Sequence, residues 1–258
     1  MKTATSADGT VIAYDQVGEG PVLIVSVGAF CDRRTFVAPP ELRRRYTVIT
    51  YDRRGRGDSG DTAPFAPERE YEDLAAVAEA TGPEPPFVFG HSSGAAIALR
   101  AVAAGMPVAG LAAYEAPFSN EDTPQPKVDP ADHIRALVAA GRRSEAVTFW
   151  MAEVTGLPDE VLAHMDGAPW VKDLEPFTST LPYDLAVSGG GVPADELGKI
   201  AAPVLVLGGG DSPAWFQRSV EAQAAATPGA RLMTLKGYDH TAPPEVIAPI
   251  LIDFFGGR

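Results

Sequence analysis

Two runs, "PVLIVSV" (residues 21–27) and "PVLVLGG" (203–209), are almost unbroken Val, Leu and Ile. A strand with one wet face alternates apolar and polar residues, so a strand without a polar face is covered on both sides. Parallel neighbours are joined by crossovers that lay helices on the sheet, and such strands therefore belong to a parallel sheet between helical layers. The remaining β-rich runs are "TVIAYDQV", "YTVITYD", "PFVFG", "VAGLAAYE" and "RLMTL". Segments of helical period lie between them: "REYEDLAAVAEATG", "SGAAIALRAVAAGM", "SPAWFQRSVEAQAAATPG" and "PEVIAPILIDFF". This order predicts an α/β fold with an open, doubly wound, mostly parallel sheet. The first run is the more amphipathic and fits an antiparallel edge.

The alternation breaks between about residues 119 and 199. A proline-rich acidic loop, "SNEDTPQPKVDP", opens a stretch of helix-like segments that has no convincing strand. We read one domain, 1–258, with this stretch as a helical insertion over one edge of the sheet. Its Phe149, Trp150, Met151, Met165, Trp170 and Phe177 fit either a core of its own or, with Trp215 and Phe216, the lining of an apolar pocket.

A formal charge of −13 repels polyanions, so nucleic acid and anionic membranes are poor partners. The arginines of "DRRTFVAPPELRRRY" and "YDRRGRGDSGD" come with acids of their own, which fits a solvated face or local loop pairing. The N-terminal stretch lacks an apolar segment behind its lysine, and the single cysteine, Cys31, has no internal partner; both agree with a cytoplasmic setting. Cys31 itself reads as a small packed thiol.

Chemistry concentrates at "FVFGHSSGAAIALR". Gly90-His91-Ser92-Ser93-Gly94 fits G-x-S-x-G between a predicted strand and a predicted helix, with Ser92 at the nucleophile position. Glycines there remove Cβ atoms that would collide in a sharp turn, and the helix start aims N–H groups at developing negative charge. Ser93 would supply an N–H, not a nucleophilic hydroxyl. A serine hydroxyl needs a base oriented by a carboxylate. Of the four histidines, His240 follows the last strand in a loop, where a base belongs if the order is Ser, acid, His. His91 is locked in the turn, and His133 and His164 fall in the insertion. Asp211 follows "PVLVLGGG" at the carboxyl edge of the sheet and is our candidate acid. Glu115 in "LAAYEAPF" ends a strand at the same edge and is the rival; Asp239, adjacent to His240, reads as a turn residue.

With these residues in place the chain resembles the α/β-hydrolase superfamily along nearly its whole length. "YDRRGRGDS" is similar to that superfamily's D-x-R-G-x-G-x-S turn, matched by Asp52, Arg54, Gly55, Gly57 and Ser59. The resemblance implies an eight-stranded sheet and a helical cap before the acid-bearing strand; the serine chemistry needs no cofactor and no metal, and no motif for either stands in the sequence. One departure is that Val27-Gly28 stands where the superfamily usually carries His-Gly. Ala29, with Ser93, is then the expected oxyanion donor, and Phe30 the substitute. The reading is a serine hydrolase acting on an ester, thioester or lactone, with a small apolar acyl compound as its partner. A non-hydrolytic lyase, cyclase or acyltransferase and a slow-turnover binding protein stay open, as do natural substrate and oligomeric state.

Overall fold

The computed structural model describes residues 1–256 apart from 124 and 166. Its strands are β1 (Lys2–Thr5), β2 (Val11–Val17), β3 (Val22–Ser26), β4 (Thr47–Tyr51), β5 (Phe87–His91), β6 (Gly110–Tyr114), β7 (Val204–Gly209) and β8 (Arg231–Leu235). They form one eight-stranded sheet in the order β1-β2-β4-β3-β5-β6-β7-β8. The pairs β1–β2 and β2–β4 are antiparallel, and all others are parallel.

The unbroken apolar strands are buried on both faces. Ile24 of β3 and Val204 and Val206 of β7 face one core layer, under the helices Pro67–Thr81, Ser93–Ala103 and Ala214–Ala226. Leu23, Val25, Leu205 and Leu207 face the other, with Ile247, Leu251 and Phe254 of the helix Pro244–Gly256. Successive side chains point to opposite faces, and each fully buried aliphatic contributes about 1.5–3 kcal/mol.

Two expectations are corrected. β2 is antiparallel but does not form the edge: β1 covers it, and "KTAT" has no apolar run to announce a strand, because an edge strand packs little. The arginines of "YDRRGRGDS" are not a solvated face either: Arg53, Arg54 and Arg56 are buried. Carboxylates buried with them offset the desolvation, Glu70 and Asp184 for Arg53 and Asp73 for Arg54.

Between β6 and β7 the chain forms the helices Pro130–Ala139, Arg143–Phe149, Pro169–Leu174 and Leu181–Ser188. They build small cores of their own around Ile134, Leu137, Trp150 and Leu181, and around Val147, Met165 and Val171. Phe30, from the loop after β3, packs against both and meets Trp150 edge to face at 5.9 Å. Trp150 and Met165 are thus core residues, whereas Trp170 is 45% exposed. No helix among the described residues is long and apolar enough to cross a membrane.

Candidate active site

Ser92 joins β5 to the helix Ser93–Ala103 with φ 58° and ψ −131°, a conformation an L-residue rarely adopts. The turn is tight enough that a Cβ on Gly94 would strike the Ser26 carbonyl oxygen, and one on Gly90 would lie 2.5 Å from Ala95 Cα. The flanking glycines let the helix pack directly on β3 and raise Ser92 at the carboxyl edge of the sheet. Among the described residues, the only non-glycine residues at positive φ are Phe30, Ser92 and Glu115. All three lie at this edge, where backbone strain is held in place by its surroundings.

Glu115, directly after β6, is fully buried. Its Oε1 accepts the Gly209 N–H at 2.7 Å, and its Oε2 lies 2.7 Å from His240 Nδ1. A carboxylate at Nδ1 fixes the proton on that nitrogen and leaves Nε2 as the basic lone pair. The loop bearing His240 is pinned from two further sides. The Tyr114 hydroxyl donates to the Asp239 carbonyl, and His91 Nε2 donates to the His240 carbonyl at 2.8 Å. Asp239 accepts from the Thr241 N–H and hydroxyl, as a turn residue does.

The structure does not bring the acid expected from the sequence, Asp211, to His240. Asp211 is exposed, and its side chain makes no hydrogen bond or ion pair among the described residues; its N–H donates to the Tyr238 carbonyl at 3.0 Å. The turn after β7 carries it past the edge, while Glu115 occupies the position between the end of β7 and His240. The only sequence signal for Glu115 was an acid closing a strand buried along its whole length.

The oxyanion candidates lie beside Ser92. Ser93 N–H opens the helix, where no intrahelical acceptor exists, and among the described residues neither it nor Ala29 N–H has a protein acceptor. A Cβ built on Gly28 would lie 2.6 Å from Ser92 Cβ, so the Gly28–Ala29 peptide reaches Ser92 only because residue 28 has none. Phe216 sets its ring 5.0 Å from that of His240. His133 and His164 are exposed in the insertion.

His91 stays neutral. Burial first, and the neighbouring His240 second, push it down to about 3, against the bond to the His240 carbonyl. An unfolded imidazole titrates near 6.5, so between there and about 3 the unfolded chain binds the additional proton. The stability His91 contributes is complete above pH 6.5 and is lost as the pH falls toward 3. Urea unfolding from pH 7 to pH 4 should show wild type losing stability faster than His91→Asn, by up to about 1.4 kcal/mol per pH unit. Parallel curves would mean that His91 protonates freely in the folded protein.

Fold, strained serine, and histidine–carboxylate pair define an α/β hydrolase architecture. Residues 22–248 match the sequence profile of the alpha/beta hydrolase family, and the chain belongs to it. It is similar to a solved alpha/beta hydrolase from Sphaerobacter thermophilus, with 44% identity, a TM-score of 0.91, and 98% of this chain and 100% of that one covered. More distant likenesses include an esterase from a Rhodococcus species (22% identity, TM-score 0.72, 99% and 98% covered). An enol-lactonase from Burkholderia xenovorans is also similar (21% identity, TM-score 0.73, 99% and 100% covered). At those identities the last two share the fold.

Proposed function

We propose that this hydrolase cleaves a small carboxylic ester, thioester or lactone through an acyl-enzyme on Ser92, with His240 as base and Glu115 as its orienting acid. The observation that carries the reading is the 2.7 Å contact between His240 Nδ1 and the buried Glu115, at the sheet edge where Ser92 stands strained at a helix start. In the reaction His240 Nε2 takes the Ser92 hydroxyl proton as the oxygen attacks the acyl carbonyl. Ala29 and Ser93 N–H groups hold the resulting oxyanion, and Glu115 stabilises the imidazolium. Collapse expels the alcohol or thiol, which takes the proton from His240. Water then attacks the acyl-enzyme by the same route. Phe30, half-buried in the loop after β3, and Phe216, its ring 5.0 Å from that of His240, favour an apolar acyl group beside these residues.

The test is a panel of activated short and medium acyl esters, together with a fluorophosphonate probe whose adduct is mapped by peptide mass spectrometry. Turnover with the adduct on the peptide containing Ser92 is the expected result. An adduct on that peptide with no ester turned over would point to non-hydrolytic chemistry or slow binding instead. Absence of both would sink the reading.

A further inference from the structure

The turn "YDRRGRGDS" reads from sequence as local structure, yet its third arginine reaches the reaction centre. Arg56 Nη1 donates to the Gly28 carbonyl at 2.7 Å and to the Cys31 carbonyl at 3.3 Å, so one guanidinium brackets Ala29 and the strained Phe30. The Gly28 C=O and the Ala29 N–H belong to the same planar trans peptide and point in opposite directions. A guanidinium fixed on that carbonyl therefore fixes where the Ala29 N–H points, which is away from Arg56.

Arg56 is itself held. Its Nε donates to Thr180 Oγ1 at 3.0 Å and its Nη2 to Asp184 Oδ2 at 2.5 Å. The other oxygen of Asp184, Oδ1, accepts from the Ser93 hydroxyl at 2.6 Å and from Arg53 Nη1 at 2.6 Å. Arg53 also donates to Ser93 Oγ at 3.0 Å and pairs with Glu70. Ser93 is the residue whose N–H is the second oxyanion donor. The two oxygens of one carboxylate thus lead to the two halves of the oxyanion hole, one through Arg56 and the Gly28 carbonyl, the other through the Ser93 side chain. Asp184 comes from the insertion helix Leu181–Ser188, so its placement depends on how the insertion packs on the sheet.

We propose that Arg56 and Asp184 are positioning residues that set both oxyanion donors, Ala29 N–H and Ser93 N–H; the inference rests on the hydrolase reading above. Ion pairing alone does not account for the arrangement. A buried charge pair can often be replaced by apolar residues without loss of stability, whereas here the guanidinium makes bonds to the carbonyls of the loop that faces the nucleophile.

The experiment compares wild type with Arg56→Lys, which keeps the charge but cannot span Gly28, Asp184 and Thr180 together. A second variant, Arg56→Met with Asp184→Leu, removes one buried charge of each sign. Active sites are counted by fluorophosphonate labelling taken to completion, and kcat per labelled site and KM are measured on p-nitrophenyl butyrate. Affinity for a trifluoromethyl ketone, which forms a tetrahedral adduct, is measured beside them. Loss of a well-aimed donor lowers kcat by about 10²-fold. The expected result is a fall in kcat of that order with KM within about twofold, and weaker ketone binding in step. Wild-type kcat per labelled site in either folded variant would overturn the proposal, since a merely structural role lowers only the number of sites. If the double variant does not fold, Arg56→Lys decides alone. Failure of wild type itself to label or turn over would instead remove the hydrolase reading, and this inference with it.

Discussion

Glu115→Gln is expected to lower kcat about 10⁴-fold, while Asp211→Asn leaves it within about twofold of wild type. The size follows from the two bonds of the carboxylate. Gly209 N–H requires an acceptor at Oε1, so the amide oxygen of the variant goes there and its NH₂ faces His240 Nδ1. An NH₂ at that position favours the imidazole with its proton on Nε2, which cannot take a proton from Ser92. The charge that would stabilise the imidazolium is lost as well. The side chain stays nearly isosteric, so circular dichroism and melting should change little compared with activity. Asp211 offers no such contact. A steady-state comparison of the two variants on one activated ester decides between the acids, and a larger loss in Asp211→Asn would reverse the assignment.

The same two residues show how far the sequence could be read. "VAGLAAYE" and "PVLVLGGGD" both end buried strands with an acid at the carboxyl edge, and in chain order either could serve His240. What separates them is how far each turn carries the acid. Glu115 takes positive φ directly after its strand and stays buried, whereas Asp211 follows Gly210 into solvent. One-dimensional spacing does not contain that difference. The sheet was legible because β3 and β7 carry apolar residues on both faces, which a strand with one face in water would not do. β1 was not, since four residues at an edge need no hydrophobic pattern. The oxyanion support was invisible because Arg56 and Asp184 are 128 residues apart, and nothing in either neighbourhood announces the other.

Geometry also assigns different work to the adjacent serines. Ser93 is buried, accepts from Arg53 and donates to Asp184, so its hydroxyl proton is committed to a carboxylate. Ser92 is only half-buried and sits in the strained turn beside the Gly28 peptide. Ser92→Ala is therefore expected to abolish fluorophosphonate labelling and lower kcat about 10⁶-fold, to what binding and the oxyanion donors supply without a nucleophile. Ser93→Ala should still label at residue 92. Its N–H remains in the backbone, and only the tie between that residue and Asp184 is gone, so the expected fall in kcat is about tenfold, within what one hydrogen bond to a charged group is worth. Intact mass after labelling reads the first difference and single-turnover acylation the second. Labelling that survives Ser92→Ala and disappears in Ser93→Ala would exchange the two roles and leave His240 with no serine to serve.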